Sequence, residues 1–286
     1  MKPIVSIITP YRNADRFLPR FVACMRAQTR QDWICLMVDD GSEDNGPYNL
    51  KALVADDPRF ILITNTLPKS WPGPASARNC ALSAVSTDLV AFCDVDDLWH
   101  PEKLELQLSY HLTYKLDLSV SAYARFYDNL LDEPIKSIVC PPAELSLGTL
   151  RGRNPIPMLT VILSADLAVV GFEQVAHEDF LFWLRLFSAN PTLRYGCLPS
   201  VLAFYCIHDR NLSSSKLFMP GWAYQVFRQY GKSRIGSFFM LLAWATSHLY
   251  SQSISRFTRS DTHVSTAQLL ANPPKNLRQH KQKRLN

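Results

Sequence analysis

The 286-residue chain is 47% apolar and 19% charged, which supports one large α/β domain, or one domain with an appended segment, and excludes a wholly disordered chain. Its seven cysteines form no Cys-x-x-Cys pair and are odd in number, so reduced, buried thiols of a cytosolic protein are expected in place of a disulfide frame or zinc site. The net charge of +5 is uneven: from Ser214 onward eleven Lys and Arg face Asp261 alone, a net +10 that leaves −5 on the preceding residues. An acidic body with a basic end argues against a nucleic-acid reader and suits contact with an anionic surface.

Ile4–Ile8 is too short an apolar run for a secretory signal and reads as the first strand, so a cytoplasmic protein is expected. Further strands are predicted at Trp33–Val38, Phe60–Ile63 and Leu89–Cys93, with amphipathic stretches at Asp15–Gln28, Tyr48–Ala55 and Ala75–Ser86 between them. Repeated β-α units of this length predict a mostly parallel sheet with helices on both faces, and in such sheets ligands sit at the carboxyl ends of strands. No Gly-x-Gly-x-x-Gly follows the first strand and no P-loop motif occurs, which disfavours a dinucleotide oxidoreductase or a P-loop ATPase.

Each strand end carries a candidate motif. In Thr9-Pro10-Tyr11-Arg12-Asn13, Pro10 closes the strand and Tyr11 is either a platform for a flat base or a half-exposed turn residue. Asp39-Asp40-Gly41-Ser42 offers two carboxylates to an imide N–H or a ribose hydroxyl, or is an Asp-Gly turn capped by Ser42. In the loop and helix start Trp71–Asn79, Arg78 lies in the first turn, where a cation opposes the helix dipole and requires an anion: a ligand, or Asp40 or Asp96. The buried run Val90–Cys93 leads into Asp94-Val95-Asp96-Asp97. On extended backbone Asp94 and Asp96 face the same way and can hold Mg²⁺ or Mn²⁺ against a diphosphate; the alternative is a turn with a helix cap.

In order and spacing these four ends resemble the nucleotide-binding half of the family 2 glycosyltransferases, a resemblance extending to about residue 214. It implies a GT-A fold and inversion at the anomeric centre. It further implies that Thr9, Pro10 and Tyr11 meet the nucleobase, that Asp39 or Asp40 reads it, that Arg78 supports the base or diphosphate, that Asp94 lies near ribose and metal, and that Asp96 holds the cation. Arg12 stands between Tyr11 and Asn13 where the family often has Tyr-Asn directly.

Beyond Pro101 a helix is predicted to Leu116, with Leu104, Leu108, Leu112 and Leu116 as a core stripe. Strands follow at Leu118–Phe126, Ile135–Val139 and Leu159–Leu163, with Pro141-Pro142 and Arg151–Pro155 as loops. Phe180, Trp183, Leu184 and Phe187 recur at helical spacing behind His177-Glu178-Asp179, acidic residues that by themselves are ordinary first-turn caps. They resemble the family's Glu-Asp motif, which implies that Asp179 is the general base and Glu178 orients the acceptor or the helix. Val201–Ser214 resembles the Tyr-Arg-x-His-x-x-Asn-x-Ser segment after the family's last core strand, with Cys206 where Arg is common and His208 either touching the cation or diphosphate or serving the structure.

The end of the chain, Met219–Phe257, is aromatic and helical in spacing. Its longest apolar run, Phe238–Ala245, falls far short of a span. Two readings stand: helices that pack on the domain or self-associate, and a helix in the membrane interface, which the basic Lys275–Arg284 favours. Residues 1–214 are thus expected to form the catalytic domain (1–100 nucleotide-binding, 101–214 acceptor), 215–258 a helical region, and 259–286 a basic, disordered tail. The expected activity is sugar transfer from a nucleotide donor, UDP-linked, to a hydroxyl of a growing glycan, of the lipid-linked kind used in surface polysaccharide assembly, with a divalent cation. The rivals are a sugar-nucleotide nucleotidyltransferase, whose Gly-rich loop with Arg after strand one is missing here, and a non-catalytic sugar-nucleotide binding or scaffold protein.

Overall fold

The computed structural model describes residues 2–70, 73–128, 135–208, 219–231, 233–257 and 265–271. The predicted β-α alternation is realised as β1 (Val5–Tyr11), α1 (Leu18–Arg26), β2 (Trp33–Asp39), α2 (Gly46–Leu53), β3 (Phe60–Thr64), α3 (Ala75–Ser83) and β4 (Leu89–Phe92). These four strands pair in parallel in the order β3-β2-β1-β4. Because strand side chains alternate, Ile8, Leu36, Val38, Val90 and Phe92 fill the core on one face while Val5, Ile7, Cys35, Met37 and Ala91 fill it on the other.

The second half continues the same sheet. After β5 (Leu98–Trp99), α4 (Lys103–Thr113), β6 (Leu118–Tyr127), β7 (Ser137–Val139), α5 (Leu147–Gly152), β8 (Val161–Ser164), α6 (Glu178–Ala189) and β9 (Tyr195–Ile207), the strand order runs β4-β8-β6-β9-β5, with β7 beside β6. β8 is antiparallel to both β4 and β6, and β9 is parallel to β6. The long β1-β2 and β6-β9 ladders keep the sheet mostly parallel.

Several boundaries differ from expectation. β5 forms inside the segment read as an acidic loop, because Leu98 and Trp99 find Phe204 and Ala203 of β9 as partners. In α4 Leu104 and Leu108 are buried but Leu112 is exposed; at 3.6 residues per turn, a row spaced by four drifts round the helix and leaves the core. Met158–Thr160 is a 3₁₀ turn, so β8 starts at Val161. Arg151 lies in α5 instead of a loop, because Ser146 caps the helix by accepting a hydrogen bond from the Thr149 N–H at 3.2 Å. All seven cysteines are unbridged, and Cys140 is exposed where burial was expected, just past the short strand β7.

At the C-terminal end, α7 (Met219–Gly231) and α8 (Arg234–Phe257) follow, and α8 turns Met240, Leu241 and Trp244 toward the core. Packing on the domain therefore holds for one face of α8. Among the described residues no helix is long and apolar enough to cross a membrane. The expectation of a disordered tail over 259–286 does not hold at Thr266–Ala271, which form α9 with Leu269 buried in the cluster of Leu98, Ala122, Phe126 and Phe204. Trp71-Pro72, the segment 209–214 and Lys275–Arg284 lie outside the described residues.

Candidate functional site

The carboxyl ends of β1, β2 and β4 meet the start of α6 and the end of β9 along one rim. At β1, Thr9, Pro10 and Tyr11 are all buried. Thr9 turns its hydroxyl to Cys35 Sγ at 3.6 Å. Tyr11 belongs to the apolar cluster of Ala14, Phe17 and Leu50, where burial and the nearby Asp39 and Asp44 raise its phenol above the ordinary range. Its ring is a core element and not the half-exposed turn residue weighed from sequence. Asn13, at φ 48°, links the first two ends: its N–H donates to Ser42 Oγ at 3.0 Å, and its side-chain oxygen accepts from the Glu43 N–H at 2.7 Å.

At β2 the expected Asp-Gly turn forms, with the Asp39 side chain and not that of Ser42 as its cap. Asp39 Oδ1 accepts from the Ser42 N–H at 2.9 Å, closing the Asp-Gly turn around Gly41 at φ 80°. Asp40 instead turns into the rim, where its Oδ1 accepts from Asn65 Nδ2 at 2.6 Å and pairs with Lys69 Nζ at 2.7 Å.

Because Asp40 is taken by Lys69, the cation in the first turn of α3 goes elsewhere. Arg78, 3% exposed, donates through Nη2 to both oxygens of Asp94 at 2.8 and 3.1 Å and through Nη1 to Glu178 Oε1 at 2.6 Å. Its partners are thus Asp94 and Glu178, not Asp40 or Asp96. One guanidinium serving two carboxylates, with Asp179 beside them, leaves an excess of negative charge in a buried place. Burial, with Asp179 and Asp94 adding, lifts the Glu178 carboxyl to about 7, against the pull of Arg78.

Asp94 and Asp96 do not face the same way. β4 ends at Phe92, and the Asp97 N–H bonds back to the Asp94 carbonyl at 3.0 Å, so the backbone turns where extension was expected. Asp94 goes to Arg78, whereas Asp96 Oδ2 lies 2.7 Å from His208 Nε2. The third carboxylate, Asp97, points inward and accepts from the Cys206 N–H at 2.9 Å. Burial and the neighbouring Asp96 and Asp94 raise it well above the carboxylate range.

Sequence reasoning missed Arg20 and Asp128. From α1, Arg20 donates to Asp128 Oδ1 at 2.9 Å, to the Asp96 carbonyl at 3.0 Å and to Cys206 Sγ at 3.7 Å. A basic side chain thereby reaches the place where Cys206 itself brings no charge. No local signal marks Arg20, which stands off the buried stripe of Leu18, Phe21, Val22 and Met25 on α1.

Among the described residues no three His, Cys, Asp or Glu side chains converge as a cation cage. The donors that are present, Asp96 and His208, hold each other, and Asp96 Oδ1 has no hydrogen bond among the described residues. One carboxylate and one imidazole fit a divalent cation that completes its shell with water and phosphate oxygens.

Asp179 opens α6 next to Glu178, and His177 precedes them in the left-handed region at φ 57°. Asp179 Oδ1 accepts from the Phe180 N–H at 2.7 Å and Oδ2 from Asn154 Nδ2 at 2.8 Å. The aromatic face of Trp222 on α7 meets His177 edge-on at 5.3 Å, bracing this turn from outside. Through Arg78, the turn holding Asp96 and the helix start holding Asp179 share one rim.

Comparison with known proteins agrees with this architecture. A family description, glycosyl transferase family 2, matches residues 6–175. The UDP-Glc:alpha-D-GlcNAc-diphosphoundecaprenol beta-1,3-glucosyltransferase WfgD of Escherichia coli is 31% identical over 214 residues, 74% of this chain and 81% of WfgD. The structure of S. aureus TarS 1-349 in complex with UDP-GlcNAc superposes with a TM-score of 0.65 at 17% identity, covering 87% of this chain and 73% of TarS 1-349. The mannosyltransferase PcManGT from Pyrobaculum calidifontis, in complex with GDP-Man and Mn²⁺, superposes with a TM-score of 0.60 at 16% identity, covering 95% and 79%.

Proposed function

The chain belongs to glycosyl transferase family 2 and has the GT-A fold, and on that premise we propose that it moves a sugar from a UDP-linked donor, with inversion, to a hydroxyl of a lipid-diphosphate-linked glycan. The observation that carries this reading is the Arg78 bridge between Asp94 and Glu178, which ties a diphosphate-side carboxylate to an acceptor-side one across a single rim. The donor nucleotide and the acceptor class are those in the name of the E. coli relative; the UDP-GlcNAc held by S. aureus TarS favours the same nucleotide.

In this reading Asp179 takes the proton of the acceptor hydroxyl as its oxygen bonds to the anomeric carbon. The bond from that carbon to the diphosphate breaks on the opposite face, and UDP departs. Asn154, holding Asp179 Oδ2, keeps the carboxylate aimed. Glu178 and Arg78 set the position of the helix start that carries it. Asp96 and His208 would hold Mn²⁺ or Mg²⁺, which neutralises charge on the leaving diphosphate. Asp39 and Asp40 offer acceptor oxygens to the base and ribose; Thr9, Pro10 and Tyr11 line that end through backbone and packing, since their side chains are buried. Residues 1–214 would carry catalysis, with 215–258 as an appended helical region that keeps the protein at the membrane where its acceptor resides.

The test is release of UDP from UDP-glucose or UDP-N-acetylglucosamine in the presence of a glycan diphosphate acceptor and Mn²⁺. Activity abolished by Asp179→Asn supports the reading. Pyrophosphate release from a sugar phosphate and UTP would favour a nucleotidyltransferase instead, and an unchanged Asp179→Asn protein would favour a binding role.

A further inference from the structure

The helix α8 is two-sided in an unusual way. Its inner face places Met240, Leu241 and Trp244 against the domain core, with Ser237 fully buried. Its outer face is also apolar: Ile235, Phe238, Phe239 and Leu242 are 72%, 53%, 64% and 46% exposed. These four stand at i, i+3, i+4 and i+7, so they fall in one stripe about 100° wide, opposite the inner residues. Phe238 and Phe239 pack edge to face at 6.2 Å, making one raised aromatic ridge.

We propose that this outer face of α8 seats in the headgroup region of an anionic lipid bilayer. This rests on the reading above that the acceptor is carried by a membrane lipid. Two observations choose the occupant. The surface is a two-turn apolar stripe, Ile235 to Leu242, that no described part of the chain covers. The surrounding sequence is cationic without compensation, with eleven Lys and Arg and only Asp261 between Ser214 and the C-terminus; exposed Arg234 adjoins Ile235 at the stripe's start. A second copy on this face would bring two segments of net +10 together, whereas anionic headgroups neutralise them. An apolar face flanked by basic residues on a helix too short in apolar length to span is the pattern of an interfacial anchor.

The seat also sets the site's orientation. α8 packs on α5 and α7, and α7 meets the helix start of Glu178 and Asp179 through Trp222 and His177. A bilayer under α8 would thus lie on the acceptor side of the rim.

The experiment is co-flotation of the full-length protein, without donor or acceptor, with vesicles of phosphatidylcholine alone or of phosphatidylcholine with phosphatidylglycerol. Binding to the anionic vesicles, weakened by salt, is expected. The double variant Phe238→Ser/Phe239→Ser should lower the partition coefficient about tenfold or more, and Arg234→Glu should lower it less while leaving the apolar ridge in place. Far-ultraviolet circular dichroism of both variants should match the parent. Equal flotation of parent and double variant, or a concentration-dependent dimer in the parent that the double variant abolishes, would overturn the proposal. UDP release with a short-chain, water-soluble acceptor should be unchanged in the double variant; because flotation involves no catalysis, loss of either result leaves the other standing.

Discussion

Arg78 and Glu178, one hundred residues apart in sequence, meet at 2.6 Å, and through the same guanidinium Asp94 is held at 2.8 Å. One side chain thereby fastens the end of β4 to the start of α6. Arg78→Ala would leave the largely buried Glu178 without its cation, beside the partly exposed Asp94, and should cost about 3 kcal/mol in urea-induced unfolding. Arg78→Lys keeps the charge but loses the forked geometry, and should recover only part of that loss.

Glu178 makes this rim sensitive to pH. Its folded carboxyl is raised from 4.5 to about 7, so between these values the folded state binds more protons than the unfolded state. Stability should therefore fall as pH rises through that window, and Glu178→Gln should flatten the slope. The change is on the order of 3 kcal/mol, read from thermal unfolding at closely spaced pH values against the variant.

Asp179→Asn should lower kcat by about 100- to 10,000-fold, the usual worth of a positioned base. The amide oxygen can still accept from the Phe180 N–H while the new NH₂ group meets the Asn154 donor and loses that bond, so KM for the donor should change little and the melting temperature should fall modestly. Stopped assays of UDP release and isothermal titration with UDP separate the two effects.

Asp96→Ala and His208→Ala test the metal reading directly. Both should abolish the part of the UDP-induced rise in melting temperature that depends on Mn²⁺, while leaving any metal-independent part, because ligand stabilisation follows affinity. A metal-dependent shift unchanged in both variants would remove these residues from cation binding.

Asp97 separates structure from chemistry. Asp97→Ala leaves the Cys206 N–H without its buried acceptor and should cost about 1–3 kcal/mol. Asp97→Asn keeps an acceptor oxygen and removes a carboxyl whose charged form is disfavoured by burial and by the neighbouring Asp96 and Asp94; its stability should equal or exceed that of the parent. Denaturant titration of the two variants distinguishes them.

The parallel half of the fold was legible because buried parallel strands are written as short apolar runs, and Ile4–Ile8, Trp33–Val38 and Leu89–Cys93 each locate one. The site was legible as far as local order reaches: Asp40, Arg78, Asp94 and Glu178 all stand on the rim. What escaped was pairing between distant residues. Nothing within reach of Asp94 in sequence says that it turns to Arg78 while Asp96 turns to His208, 112 residues later. Arg20, Asp128 and Asn154 matter only through partners that the fold delivers. β5 and α9 were missed because each is short and owes its form to neighbours, β9 for one and the cluster around Leu269 for the other.

The antiparallel ladder between β4 and β8, Leu89 to Ser164 through Ala91 to Ile162, has a mechanical meaning. It sews the parallel strands β1 to β4 and the later strands β6, β8 and β9 into a single sheet, so the two parts cannot swing apart like jaws without tearing backbone hydrogen bonds in the middle of the core. The rim at the carboxyl ends of β1, β2 and β4 thus stands on one unbroken floor.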